Sequence, residues 1–519
     1  MKPLRRNLLL LALLSGPAFA APIVRTGTAD NLNLAGAWTG GILPSAAGSV
    51  ATWDSTSTLS NSMGAALTWG GLNTRGAFGL GFASGSTMNV SGQNFTFGNK
   101  DGGGLNLSNV TLTGSAKFTF NKTADTGITN FNAANALAFN GTLALRGGTP
   151  SSAPGTMQAG TGRFWLNSLA GSQAAGTSFA LDTGASATDG QDFIIGDWDG
   201  TSTNRKLTLS SLSGFGTIRT DAGAAGTRTL IVDQATDTTF NGMLLSHAST
   251  ATPNAIRKIA FEKKGVGSLT LAGIVGKETT SAGGSASDVD LTVTAGTLVL
   301  TAVNTRTGAT TIGSSGTLKV GNGGTNTLLG GNAVTNDGSL VFNYGTGAAV
   351  TFAGLISGSG SLTKQGAGLL ALTASSTHTG ATTVEQGTLR IGGHLDGSAT
   401  TVKTGATLAT GSQASSGVGY VKALTLESGT SSTFRIGSSN WDTIVVNDTD
   451  AITVSGTHTI TPVYLGGLNP GDRREVIDYA GTMSGSFSSF QLSSGTRFQL
   501  INDTENSNIV LEYTGGNVI

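Results

Sequence analysis

The 519-residue chain contains no cysteine. That removes disulfide stapling, thiol nucleophiles and thiolate metal sites together. Proline is scarce at 9 residues, and without a strict Gly-X-Y period a collagen triple helix is excluded. Charge is scarcer still, because the 29 basic and 29 acidic residues make only 11% of the chain, against roughly 25% in an average globular protein. Glu occurs seven times, too few for the exposed faces of long amphipathic helices. The formal net charge is zero, and no basic face is present for a nucleic-acid backbone. After the N-terminus no run of ~18 apolar residues occurs, which excludes a helical membrane span.

What replaces charge is Gly, Thr, Ser and Ala, with 80 glycines in all. Disorder is not the outcome expected, because net charge is low and β-branched residues are spread throughout. Such a composition fits an extended, turn-rich β protein. The first twenty residues have the organisation of a secretory signal. Lys2, Arg5 and Arg6 form its charged region, Leu8 to Leu14 its apolar stretch, and Ala18-Phe19-Ala20 its cleavage site. The mature chain is expected to begin at Ala21 and to be secreted or held at the cell surface, with no integral membrane segment left after cleavage.

Internal repeats are the strongest signal. Residues 296–312 (GTLVLTAVNTRTGATTI) align without a gap to 368–384 (GLLALTASSTHTGATTV), with 11 of 17 positions identical. Both continue in kind, as GTLKVG at 316–321 and GTLRIG at 387–392, and KKGVGSLTL at 263–271 is related to GSGSLTK at 358–364. Leucines recur at Leu269, Leu298, Leu318, Leu340, Leu362, Leu389 and Leu408, at intervals of 29, 20, 22, 22, 27 and 19. Around each, alternate residues are apolar, so one side of a short strand is apolar and the other polar. Such a strand cannot bury its own apolar side. Three strands and three turns in about 20–25 residues make one coil of a parallel β-solenoid, and stacked coils merge those sides into one core. Glycine before each Thr-Leu supplies corner geometry, and Thr and Ser stack outside. On this spacing Leu298, Leu318, Leu340, Leu362 and Leu389 are expected to be buried in one lumen, in parallel strands on adjacent coils. Trp38, Trp53 and Trp69 are expected to plug the N-terminal end, and Phe487, Phe490 and Phe498 to help cover the other.

The stretch GSGSLTKQGAGLLALTASSTHTGATTVEQGTLRIGG (358–393) resembles the autotransporter-associated β-strand repeat, also called the passenger-associated transport repeat. Its pattern is Gly-x-Gly-small-Leu-x-Lys, Gly-x-Gly-x-Leu-x-Leu, Tyr-Thr-Gly-x-Thr-x-Val and Gly-Thr-Leu. Here the usual Tyr is His378 in one copy and Arg306 in the other. Residues 195–218 and 227–244 are similar to what commonly precedes such repeats. The resemblance implies a right-handed parallel β-helix exposed outside the cell. No translocator barrel of ten to twelve amphipathic strands with aromatic girdles is expected, because only about 100 residues, with few aromatics, follow the last clear repeat. The expected organisation is a signal peptide at 1–20, a degenerate solenoid at 21–250, repeat-bearing β-helix at 251–420, and a C-terminal β region and cap at 421–519.

β-Helices also host polysaccharide lyases and glycoside hydrolases, which makes a carbohydrate-active enzyme the rival class. Such a site needs several carboxylates converging on one groove. The nearest acidic sets are Asp189/Asp192/Asp197/Asp199, Asp288/Asp290 and Asp442/Asp448/Asp450, each among turn residues where Asp bonds the local backbone. Nucleophile-elbow, zinc, dinucleotide and phosphate-loop motifs are missing. Of the four histidines, His247, His378, His394 and His458, only His378 and His394 fall about one coil apart, and an exposed turn pair is expected rather than a zinc site. The expectation is therefore a non-enzymatic structural or adhesive rod without cofactor, metal or catalytic residues. Surface glycans or envelope components are its expected partners, with end-to-end self-association at uncovered coil edges.

Overall fold

The structure is a computed structural model. With side chains it describes residues 115–120, 139–148, 164, 177–195, 206–220, 226–246, 257–277, 288–325, 329–330, 332–448 and 452–516. At the margins of these segments and towards the N-terminus only strand backbones are described. Residues 1–20, Trp38, Trp69, Asp197, Asp199, His247 and Asp450 lie outside the described residues, and Trp53 is described in its backbone alone.

The chain folds as a parallel β-helix with three faces. Face B shows the stacking most plainly. Its core-facing positions run Thr238, Leu269, Leu298, Leu318, Leu340, Leu362, Thr382, Thr400, Leu424, Ile452 and Met483, each the parallel partner of the next. Ten steps of ~4.8 Å make a stack roughly 48 Å long. Face A precedes it in each turn, through Ile259, Val289 and then Leu291, Thr310, Val334 and Ile356. Face C follows. Its upstream part runs Phe193, Ile218, Leu244 and Val275. Its downstream part runs Val350, Leu370, Leu389, Leu408, Ser432, Ile460 and Leu492. Strands Val289–Leu300 and Thr310–Val320 each cover faces A and B in one bent run.

All seven leucines of the series are buried in one continuous core. They lie on parallel strands of successive coils as expected, but the series divides between two columns. Leu362 pairs with Thr382 on face B, and Leu389 pairs with Leu370 and Leu408 on face C. The leucine spacing joined two columns because the homologous repeats lie one face apart. Leu298 in the first copy sits on face B, whereas its counterpart Leu370 in the second sits on face C. The repeated sequence tolerates this move because each face asks the same of a strand: an apolar inner side, a polar outer side and a glycine corner.

Corner glycines act in two ways. Gly387 has φ +71, a left-handed conformation that a side chain strains. Gly316 has no such φ, but a Cβ there would lie 2.2 Å from the Val293 carbonyl oxygen on the preceding coil. Outside, face B carries the polar ladder Thr363, Thr383, Thr401, Thr425 and Thr453.

The C-terminal end changes pairing direction. Strand Asn508–Tyr513 pairs antiparallel with both Arg473–Tyr479 and Phe498–Asp503. This covers the parallel edge of face A with a hairpin. Phe490, Phe498 and Tyr513 are buried there, and Phe487 packs partly buried against the same core.

Leu362→Ala deletes most of a side chain that is 1% exposed, and is expected to cost about 2–5 kcal/mol. Because coils couple mainly to nearest neighbours, hydrogen exchange should accelerate first at the rungs of Leu340 and Thr382. Equal acceleration as far away as Leu269 and Ile452 would contradict nearest-neighbour coupling.

Candidate functional site

Five aspartates of the three acidic sets, Asp189, Asp192, Asp288, Asp290 and Asp442, accept backbone amides. Asp189 accepts the Gly147 amide at 2.7 Å, and buried Asp192 accepts that of Thr217 at 3.0 Å. Asp288 accepts the amides of Val289 and Thr307, and Asp290 accepts that of Ala309 at 2.8 Å. Asp442 is buried, accepts the amides of Gly417 and Arg435 at 2.9 Å each, and receives the Arg435 Nε–H at 2.9 Å. Carboxylates held in this way fix corners. Among the described residues no group of three or more His, Asp or Glu side chains is placed to hold a metal ion.

The histidine expectation is corrected. His378 is fully buried rather than exposed, with Nε2 3.0 Å from the Thr382 hydroxyl. His394 lies on the surface, stacked on Tyr420 with ring centroids 4.1 Å apart and bonded to Asp396 at 2.9 Å. Arg306 and His378, which occupy the same repeat position, both turn inward and both meet the threonine four residues on, Thr310 and Thr382. The inward turn is what the shared repeat position requires. His458 is buried as well, between the hydroxyls of Thr430 at 2.8 Å and Ser432 at 3.1 Å.

Two buried lysines go unnoticed in the sequence, although both follow the Leu-x-Lys or related Phe-x-Lys pattern. Lys364 points inward from face B, and its Nζ donates to the carbonyls of Gln365 at 2.9 Å, Gly366 at 2.7 Å and Gln386 at 3.1 Å. Burial pushes its ammonium down to about 8, while the carbonyls favour the charged form. Lys263 binds the carbonyls of Lys264, Gly265 and Ala295 in the same manner. Each lysine thus fastens its own corner to the corner of the next coil.

Above the Lys364 corner, on the outside, is a groove of about 550 Å³ lined by Asn343, Gln365, Gly366, Glu385, Gln386 and Thr404. The three carbonyl partners of Lys364 belong to three of these lining residues, so the buried ammonium clamps the groove's floor. Gly366, at φ +71, leaves the floor bare. A Cβ there would lie 2.3 Å from the Tyr344 carbonyl oxygen and 2.7 Å from Asn343 Oδ1. On one wall Gln365 Nε2 donates to Glu385 Oε2 at 2.9 Å. Hydrogen-bonding groups line this groove, and no cation faces it from the six lining residues.

A family model described as the passenger-associated-transport-repeat matches residues 295–320 and 362–391. The chain carries passenger-associated transport repeats. The first matched repeat spans the face-A-to-face-B corners, and the second contains Lys364 and four of the groove residues, Gln365, Gly366, Glu385 and Gln386. The chain is also similar to the Adhesin BmaC autotransporter of Brucella suis biovar 1 (strain 1330), 43% identical over 107 residues. That match covers 21% of this chain and 3% of the relative.

The lumen histidines predict an acid response. Burial lowers both His378 and His458 from 6.5 to about 4. With the folded value below the unfolded one, the unfolded chain takes up protons first. Stability is then full above pH ~6.5 and falls as pH drops towards ~4, by up to roughly 3 kcal/mol per histidine. Thermal melts from pH 7.5 to 4 should show this loss, and His458→Gln should flatten it. An unchanged slope in the variant would contradict a neutral, buried imidazole.

Proposed function

We propose that this protein is an exported, non-enzymatic β-helical rod that acts at or outside the cell surface as an adhesive or structural element. The single observation that carries the reading is the stacking of its transport repeats into one in-register core with polar faces outside. Such a rod keeps its strength inside and leaves its lateral surface open to partners. The local similarity to an autotransporter adhesin supports adhesion. The N-terminal signal-like sequence supports export. Among the described residues no helix is long and apolar enough to cross a membrane.

The rival reading, a polysaccharide-cleaving enzyme, finds little support in the acidic residues. A glycosidase of the usual kind needs one carboxylic acid free to give a proton and one carboxylate free to attack or to activate water. Asp192, Asp288 and Asp442 instead spend their oxygens on backbone amides deep in the wall. The purified mature chain is expected to coat host or abiotic surfaces and to release no reducing ends from a panel of polysaccharides. Reducing ends released at a rate that Asp-to-Asn changes abolish would establish the enzyme and defeat the proposal.

A further inference from the structure

We propose that the groove over the Lys364 corner binds a neutral, hydroxyl-rich glycan segment laid along the rod. This deepens the adhesive reading and rests on it. The six lining residues supply three planar amides, one carboxylate and one hydroxyl. A sugar hydroxyl both donates and accepts, which amides match from both sides, while the carboxylate accepts. An acyl chain or an apolar peptide side chain finds no apolar side chain among the lining residues to cover it. A sulfated or sialylated glycan meets the Glu385 carboxylate instead of a cation. The ammonium beneath, on Lys364, is turned inward and spent on three carbonyls. Lys403, the cation that precedes Thr404, is ion-paired with Glu427.

Shape supports the same ligand. Asn343 and Gln365 are direct partners on neighbouring rungs. The amides of Glu385 and Lys403 continue the ladder, bonding the carbonyls of Lys364 and Val384. Lining groups therefore come from four successive rungs, about 14 Å of trench at ~4.8 Å per step, suited to a short stretch of extended glycan. The site is also pre-formed. Lys364 ties together the backbone of Gln365, Gly366 and Gln386, and Gln365 orients Glu385 at 2.9 Å. Little ordering is then left to be done on binding, which favours a ligand held by polar contacts alone.

The test is a glycan array of neutral, sialylated and sulfated oligosaccharides, probed with the mature chain and with Glu385→Ala, Gln386→Ala and a remote control, Thr433→Ala. Neutral glycans are expected to bind, with apparent affinity reduced about tenfold or more by either groove change and unaltered by the control. Melting curves check that the variants remain folded. No neutral binder on the array, a preference for charged glycans, or groove variants that bind as the parent does would each overturn the proposal. Surface-adhesion assays on the same preparations separate the two readings. A chain that adheres equally well with and without the groove changes loses the glycan site and keeps the adhesive function. A chain that adheres to nothing loses the adhesive function itself.

Discussion

A strand that alternates apolar and polar residues has one side it cannot bury alone, and here most of the described strands meet that constraint by lying parallel on the strand one coil earlier, the C-terminal hairpin being antiparallel. Leu298, Leu318, Leu340 and Leu362 satisfy it for face B, and Leu370, Leu389 and Leu408 for face C. The composition follows. Glycine is needed where corners pass within contact of the coil below. Threonine is suited to an outer ladder that stays open to water. Charge is scarce because few positions are free of neighbours above and below.

Several of the polar groups that turn inward find partners inside. Lys263 and Lys364 do so with corner carbonyls, and Arg306 with the carbonyls of Gly308 and Ala309. His378, Thr382 and Ser398 do so with one another, Thr382 and Ser398 at 2.8 Å. These contacts bridge faces or coils, so the polar interior adds specificity to an apolar stack that would otherwise accept several registers. The lysine corners also link core to surface. The ammonium that satisfies the lumen holds the backbone on which the outer groove is built.

Much of the fold was legible in the sequence because an alternating strand with a glycine corner advertises itself locally. The burial of the leucine series, the outer threonine ladder and the backbone role of the acidic residues could all be read that way. The face shift could not. Spacing counts residues along the chain, while columns depend on which face each repeat enters, and the three faces make near-equal demands. Leu389 therefore sits in the core as its pattern demands, but on another face than Leu362. His378 was misjudged because its neighbours Thr377 and Thr379 have the composition of a turn, whereas its own side chain takes the inward position of the repeat. The groove was hidden for a third reason. Its walls come from four rungs and its floor is backbone, clamped by a lysine whose place in the motif says nothing about the side it faces.

The register itself can be tested by disulfide trapping, made clean by the absence of native cysteine. Thr363 and Thr383 are partners on adjacent rungs of face B, about 4.8 Å apart with both side chains outward, within the span a disulfide accepts. Leucine spacing alone would instead align Leu362 with Leu389, and hence Thr363 with Arg390. Mild oxidation should bridge the pair Thr363→Cys with Thr383→Cys rapidly and leave Thr363→Cys with Arg390→Cys open. Bridging of the second pair and not the first would contradict the one-face shift and the three-faced stack built on it.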